Sequence, residues 1–410
     1  MTRRVVVTGM AGLCPLGLSW AEVRPKLLAK QSGITTKPEW GAVEGLQTRL
    51  AAEIRGFQRP PHYTRAKIRT MGRVALLATR ATELALLAAG LLESPELKDG
   101  TMGIAYGSTS GSPDAIELFV KQVGVQHTMI GVTAATFLQS MSHTCSANLA
   151  QFFEVKGRII PTCSACTAGS QGIGYAYEAL KYGRQEIMIA GGAEELHVLG
   201  AAVFDIMFAT STRNVDPQRT PRPFDVDRDG LVPGEGAATL ILETLAHAEK
   251  RGAPILAEIV GFATNCDGRH VVHPSLAGMQ KVMELALQDA ALAPEAIDYI
   301  NAHATATEVG DIVETQATAE CFKRQVPISS LKSYMGHTFG ACGALEAWLC
   351  IEMMREGWLA PTINLDRIDP RCAPLDYLTE SRECRARYIM SNNFAFGGIN
   401  TSLIFKRWEG

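Results

Sequence analysis

The 410-residue chain has no long apolar run, no strong excess of either charge, no cysteine framework and no low-complexity linker. Each absence excludes a class of protein. No stretch reaches the roughly 18 apolar residues that a membrane span needs, because Val74–Leu92 is broken by Thr79, Arg80, Thr82 and Glu83. With 39 Lys and Arg against 42 Asp and Glu, the net charge is −3. Bulk charge therefore points to neither nucleic acid nor an anionic membrane, although a local basic patch for an acidic partner stays open. The opening residues hold no apolar segment long enough for a secretory signal, and the ten cysteines follow no disulfide spacing. The expectation is a cytoplasmic protein with free thiols, some of which do chemistry.

What is present is material for a large core: 47% hydrophobic and 20% charged residues, close to the globular norm. Arg3–Thr8 reads as a buried strand running into a turn at Gly9, Gly12, Pro15 and Gly17, and Val74–Leu92 as a helix. Met102–Tyr106 and Glu186–Ala190 read as strands that end in small-residue turns. Further strands are expected at Ala238–Leu242, Ile255–Val260, Tyr299–Ala302, Ile328–Ser330 and Ser402–Phe405, with helices at Met279–Ala291 and Ala341–Met354. Strands alternating with helices argue for a layered α/β protein with βαβ units. There is no strong internal sequence repeat, but two similar halves, 1–250 and 251–410, are expected. The proline-rich, charged stretch Asn214–Glu235 reads as an ordered surface loop.

Four segments carry groups that could react. In Thr162–Gly169, a strand end runs through small residues into a helix, placing Cys166 near a helix N-terminus. A thiol there can fall from about 8.5 to roughly 3.5–7.5, yet a buried structural cysteine fits this segment equally well. Cys163 and Cys166 form a C-x-x-C, but no second ligand pair completes a zinc site. His303 opens a polar turn after a strand, and Lys332 and His337 lie between a strand and a helix. The segment Asn392–Asn400 is an aromatic and glycine loop whose backbone N–H groups could serve an oxyanion. Each segment is weak alone. Together they supply thiol, histidines, lysine and N–H donors at strand ends, a set suited to acyl-thioester chemistry.

In order and over nearly the whole chain, these segments resemble the β-ketoacyl-ACP synthases of the thiolase superfamily, in the synthase I/II branch. The resemblance rests on VVVTGM…PLG, SACTAGSQGIG, RPFDVDRDGLVPGEGA, NAHATATEVGD, LKSYMGHTFGACGALE and NNFAFGGIN. It implies a thiolase fold: two similar α/β halves in a five-layered α-β-α-β-α arrangement, forming a homodimer or a heterodimer with a chain-length-factor-like subunit. It also implies that no cofactor is permanently bound, that no metal is needed, and that substrates arrive on the phosphopantetheine arm of an acyl carrier protein. By the same resemblance, Cys166 is the acylated nucleophile, His303 and His337 the paired condensation histidines, and Lys332 the buried lysine beside them. Asp311, Glu314 and Glu346 form the supporting network, and Thr305 and Thr307 bind the phosphopantetheine. The backbone N–H groups of Phe396 and Cys166 form the oxyanion hole, with Phe396 also the gate. Ser110, Phe137, Leu138 and Phe394 fall at the acyl pocket, Phe137 and Leu138 reaching toward a partner subunit or simply packing an interface.

The chain departs from the family pattern at Ala304, at Glu308, at Ala395 in place of a glycine, at His273 in place of a serine, and at Ser110 in place of a branched gate. Strings such as HYTRAKIRTMGRVALLATRATELAL and FGGINTSLIFKRW are most similar to the synthases of bacterial aryl-polyene clusters, which extend an aromatic, then conjugated, acyl chain. A fatty-acid elongation synthase is the alternative. A non-catalytic chain-length partner and a thiolase fit less well, because the cysteine and both histidines are present.

Overall fold

The computed structural model describes residues 2–410. Its main sheet has eleven strands: β1 (Val5–Leu13), β2 (Met102–Gly107), β3 (Ile159–Thr162), β4 (Ile187–Glu194), β5 (Gly236–Thr244), β6 (Ala257–Cys266), β7 (Tyr299–Asn301), β8 (Pro327–Ser329), β9 (Asp376–Tyr377), β10 (Tyr388–Phe394) and β11 (Ile399–Arg407). The strand order is β9-β8-β7-β10-β11-β6-β1-β5-β4-β2-β3. With the two-residue edge strand β9 set aside and strands counted from the start of each half, both halves run third-second-fourth-fifth-first, so the fold is an internal duplication that the sequence does not display. The halves meet through a short antiparallel ladder, Val5–Val7 of β1 against Ala257–Ile259 of β6.

The principal helices are α1 (Arg73–Ala88), α2 (Thr144–Phe153), α3 (Ala168–Lys181), α4 (Val198–Ile206), α5 (Leu276–Ala290), α6 (Glu308–Phe322) and α7 (Cys342–Glu356). Their buried faces define five layers. One core joins α1 and α2 to the outer face of the first half-sheet. A second joins α5 and α6 to the outer face of the other half-sheet. Between them, α3 and α7 share a core with both half-sheets, through residues such as Ile173, Trp348, Leu240 and Phe405. Thirteen of the fifteen residues of α7 are buried, as expected for a helix covered on every side.

Two readings of the sequence need correction. Gly9 and Gly12 are not a turn, because β1 runs on to Leu13. A Cβ at Gly9 would lie 2.4 Å from the Ala85 carbonyl oxygen, and one at Gly12 would lie 2.2 Å from the Trp348 ring. The glycines let helices approach both faces of the strand. The stretch Asn214–Glu235 is ordered, but only its beginning is a surface loop: Val215 is exposed, whereas Phe224, Asp225 and Val232 are wholly buried. Its charges are tolerated inside because they are paired, Arg228 with Asp369 at 2.7 Å and Arg222 with Asp225 at 3.1 Å. Among the described residues, no helix is long and apolar enough to cross a membrane, and all ten cysteines are free.

The N-terminal ends of α3 and α7 cross at the centre with almost no side chain between them. A Cβ at Gly169 would meet the Gly340 carbonyl oxygen at 2.8 Å and the Ala344 nitrogen at 3.0 Å. Gly169→Val should therefore cost about 1–3 kcal/mol through overpacking and move the turn before α3 away from the turn before α7. A thermal melt together with the rate of Cys166 alkylation checks this, and a wild-type result in both would refute the tight crossing.

Candidate active site

Each central helix is preceded by a single 3-10 turn after the third strand of its half: Ala165–Thr167 before α3, and Phe339–Ala341 before α7. The crossing of the helices brings these turns together. Cys166 sits in the first turn, and His337 lies just ahead of the second. His337 Nε2 is 3.0 Å from Cys166 Sγ. His303, at the end of β7, completes the group: one ligand atom from each of the three residues lies within 4.8 Å of the others. The two imidazole rings are 5.2 Å apart and nearly perpendicular.

Burial sets the protonation states. It pushes the Cys166 thiol up to about 12, against the opposing charge of Lys332 and the backbone N–H groups of Cys166 and Phe396. Of the two readings the sequence left open, desolvation outweighs any lowering by the helix N-terminus. Burial also holds both histidines well below the ordinary value, with Lys332 adding to the effect. The resting site is a neutral thiol facing two neutral imidazoles. Among the described residues His337 Nδ1 is buried without a hydrogen-bond partner, so the ring's tautomer is set at Nε2, by its contact with Cys166 Sγ.

A buried polar shell holds these groups in place. Lys332 Nζ donates to Glu346, which also accepts from Asn393 at 2.7 Å. Burial disfavours the charge of Lys332, but Glu346 outweighs it and leaves the ammonium raised. Glu314 accepts the backbone N–H groups of His303 at 2.8 Å and Ala304 at 2.7 Å. Burial nevertheless pushes Glu314 up to about 8, opposing those two donors. Asp311 accepts from the Phe224 and Ala306 nitrogens, and burial raises it to about 6. Arg228 donates to the Thr307 and Glu308 carbonyls, tying the Asn214–Glu235 stretch to the turn after β7.

A cavity of about 420 Å³ opens onto Cys166, His303 and His337. Thr305, Thr307, Glu308, His273, Phe394 and Phe396 line it, and the Thr305 and Thr307 hydroxyls are 3.0 Å apart. Glu308 is ion-paired with Arg371 at 2.6 Å, and His273 lies 2.9 Å from His270 between Nδ1 atoms. Ala395 is not at positive φ. Gly397 and Gly398, at φ +87° and +73°, make the turn, so the alanine adds no backbone strain. Ser110 donates to the Gly111 carbonyl and does not line the cavity. Phe137 and Leu138 lie elsewhere on the surface, 54% and 41% exposed; the single chain does not bring these three to the sulfur.

Sequence reasoning missed Asn393, Cys342 and Glu194. Asn393 was readable as the second of two asparagines inside a buried strand. Glu194 could have been flagged as a carboxylate ending an all-apolar strand. It accepts from Thr109 Oγ1 at 2.7 Å and the Gly340 nitrogen at 3.0 Å, and burial pushes it up to about 7. Nothing local marks Cys342, whose Sγ donates to the Cys166 carbonyl at 3.2 Å.

A duplicated fold with a cysteine and two histidines at its pseudo-symmetric centre defines a thiolase-fold condensing enzyme. Family models described as "Beta-ketoacyl synthase, N-terminal domain" and "Beta-ketoacyl synthase, C-terminal domain" match residues 2–248 and 256–366. 3-oxoacyl-[acyl-carrier-protein] synthase 1 of Haemophilus influenzae is 37% identical, covering 100% of both chains. Synthase 1 of Escherichia coli is 33% identical over 99% of each chain. The crystal structure of a beta-ketoacyl synthase from Burkholderia phymatum superposes with a TM-score of 0.98 at 54% identity, covering 99% of this chain and 100% of that one. An AntDE:AntF structure, a type II PKS acyl-carrier protein in complex with its ketosynthase, gives 0.88 at 27% identity over 100% of both chains. The chain belongs to the beta-ketoacyl synthase family, in its synthase I/II branch, and is an acyltransferase of the 3-oxoacyl-[acyl-carrier-protein] synthase kind.

Because the thiol is pushed up to about 12, its thiolate fraction grows with pH well past the range of an ordinary cysteine. Iodoacetamide alkylation of Cys166, followed by peptide mass spectrometry, should accelerate through pH 10 without a plateau. A plateau near pH 7 would show a depressed thiol instead.

Proposed function

We propose that the protein performs a decarboxylative Claisen condensation of malonyl-ACP with an acyl group held on Cys166, in aryl-polyene biosynthesis. The observation that carries the reaction is the contact of Cys166 Sγ with His337 Nε2 at the foot of the cavity, with the Cys166 and Phe396 N–H groups against the same sulfur. As the thiol attacks an acyl thioester, its proton passes to His337 and then to the departing phosphopantetheine thiolate. The two N–H groups hold the tetrahedral oxyanion. Malonyl-ACP then enters, with Thr305 and Thr307 placed to hydrogen-bond its arm. Loss of CO₂ leaves an electron pair delocalised onto the thioester oxygen, where neutral His303 donates N–H and His337 does so once its single proton has exchanged from Nδ1 to Nε2. The carbanion attacks the Cys166 thioester carbonyl, the C–S bond breaks, the β-ketoacyl group leaves on the carrier, and the released Cys166 thiolate takes up a proton from solvent.

Lys332, held by Glu346, disfavours a further positive charge and so helps burial keep the histidines neutral, while Glu314 and Asp311 position the turn of His303 through its backbone N–H groups. Residues 1–250 and 251–410 supply the nucleophile and the histidines respectively. Phe137, Leu138 and Ser110 are assigned to an acyl pocket completed across a dimer, with a second copy or a chain-length-factor-like subunit as partner. The acyl carrier protein is the substrate-bearing partner and the cytoplasm the compartment, consistent with ten free thiols. The sequence strings shared with aryl-polyene synthases support the pathway. Fatty-acid elongation is the competing one.

Cys166→Ala should lower condensation by at least about a thousandfold, since the nucleophilic route is lost. Intact-protein mass spectrometry of the wild type should show acylation at Cys166 from aryl-acyl carrier protein. Full condensing activity in the variant would end the proposal, and preferential loading of long saturated chains would end the aryl-polyene assignment.

A further inference from the structure

Three phenylalanines from distant parts of the chain stack beside the reacting sulfur. Phe204, on α4, and Phe339 lie parallel, with centroids 5.1 Å apart and planes 8° apart. Phe396 packs on the same Phe204 ring at 5.1 Å and 31°. Phe204 and Phe396 line the cavity. Phe339 is not among its lining residues, is only 6% exposed and lies 5.1 Å from the His337 ring. Leu231, Met207 and Ala209 complete the cluster. The bond-making and bond-breaking steps proposed above use Phe396 through its backbone N–H, so none of the three rings takes part in them.

Phe339 also has φ +43°, a region that bulky side chains avoid. The surrounding structure must hold it there, and such strain gathers where a side chain has to be placed in one position. Here the result is a flat ring fixed behind Phe204.

We infer that the Phe339–Phe204–Phe396 stack selects a flat, conjugated acyl group, with Phe339 as the positioning residue for Phe204. The inference rests on the aryl-polyene reading above and names the side chains that would enforce it. Any acyl group entering between these rings must part Phe396 from Phe204, so that cost is common to all substrates. Selection arises from what replaces the lost ring contact. A conjugated or aryl chain offers a π face that can take up offset-stacked or edge contacts with both rings. A saturated chain offers staggered methylenes, which bury apolar surface but do not restore those contacts. Only such a differential interaction discriminates between substrates.

The test uses the full-length protein with cinnamoyl and nonanoyl pantetheine thioesters, which match in carbon count, and follows Cys166 acylation by intact mass. Wild type is expected to favour cinnamoyl in kcat/KM. Phe339→Leu, which keeps most of the volume but removes the flat face, is expected to lower the cinnamoyl-to-nonanoyl ratio by about tenfold. Phe204→Leu should lower the ratio at least as far, and a thermal melt of each variant reports folding. Because both donors share Cys166 and His337, a merely structural role would reduce both rates together and leave the ratio intact. An unchanged ratio in the two variants overturns the inference while the condensing function stands. A wild-type preference for nonanoyl overturns both the inference and the aryl-polyene reading beneath it.

Discussion

The structure depends on one close approach, the crossing of α3 and α7 at their N-terminal ends. Gly169 and Gly340 meet there at distances that admit no Cβ. The same contact determines where the two preceding turns stand, and those turns carry Cys166 and His337. Fold stability and catalytic geometry are therefore one constraint rather than two. A methyl group in the crossing would be felt as overpacking and, at the same time, as a longer S···N distance.

Around that crossing, burial does most of the chemical work. A thiol, two histidines, a lysine and three carboxyls lie in a region with little access to water. Desolvation keeps the thiol protonated and the imidazoles neutral. Two neutral imidazoles suit a reaction whose difficult intermediate is a carbanion, because they can donate N–H without protonating it outright. Lys332 stays charged only because Glu346 is beside it, and its field further discourages protonation of His303 and His337. Half a buried ion pair would leave an uncompensated charge under the site, so Lys332 donates to Glu346 and Asn393 in turn donates to Glu346 and holds it there.

Much of the site was legible in the sequence because the reactive residues follow strand ends within short, unusual strings. Cys166, His303, Lys332 and His337 each sit where an apolar run breaks into small or polar residues. The assembly of the site was less legible. Gly9 and Gly12 looked like a turn because glycine in a sequence does not say whether it bends a chain or admits a neighbour. The Asn214–Glu235 stretch looked solvated because its charges were visible and their partners, such as Asp369 and Asp366, lie more than a hundred residues away. Phe339 and Phe204 carried no signal at all, since their stacking exists only after both halves have closed.

From the residues alone came the family, the layered α/β class and the set of groups proposed to react, because these are written in local patterns and in the order of motifs. Tertiary structure alone decided that the two halves share one strand order, that the thiol is raised rather than lowered, and that three distant phenylalanines stack beside it. The reason is physical: a sequence shows which atoms are available, whereas desolvation and stacking depend on which atoms surround them.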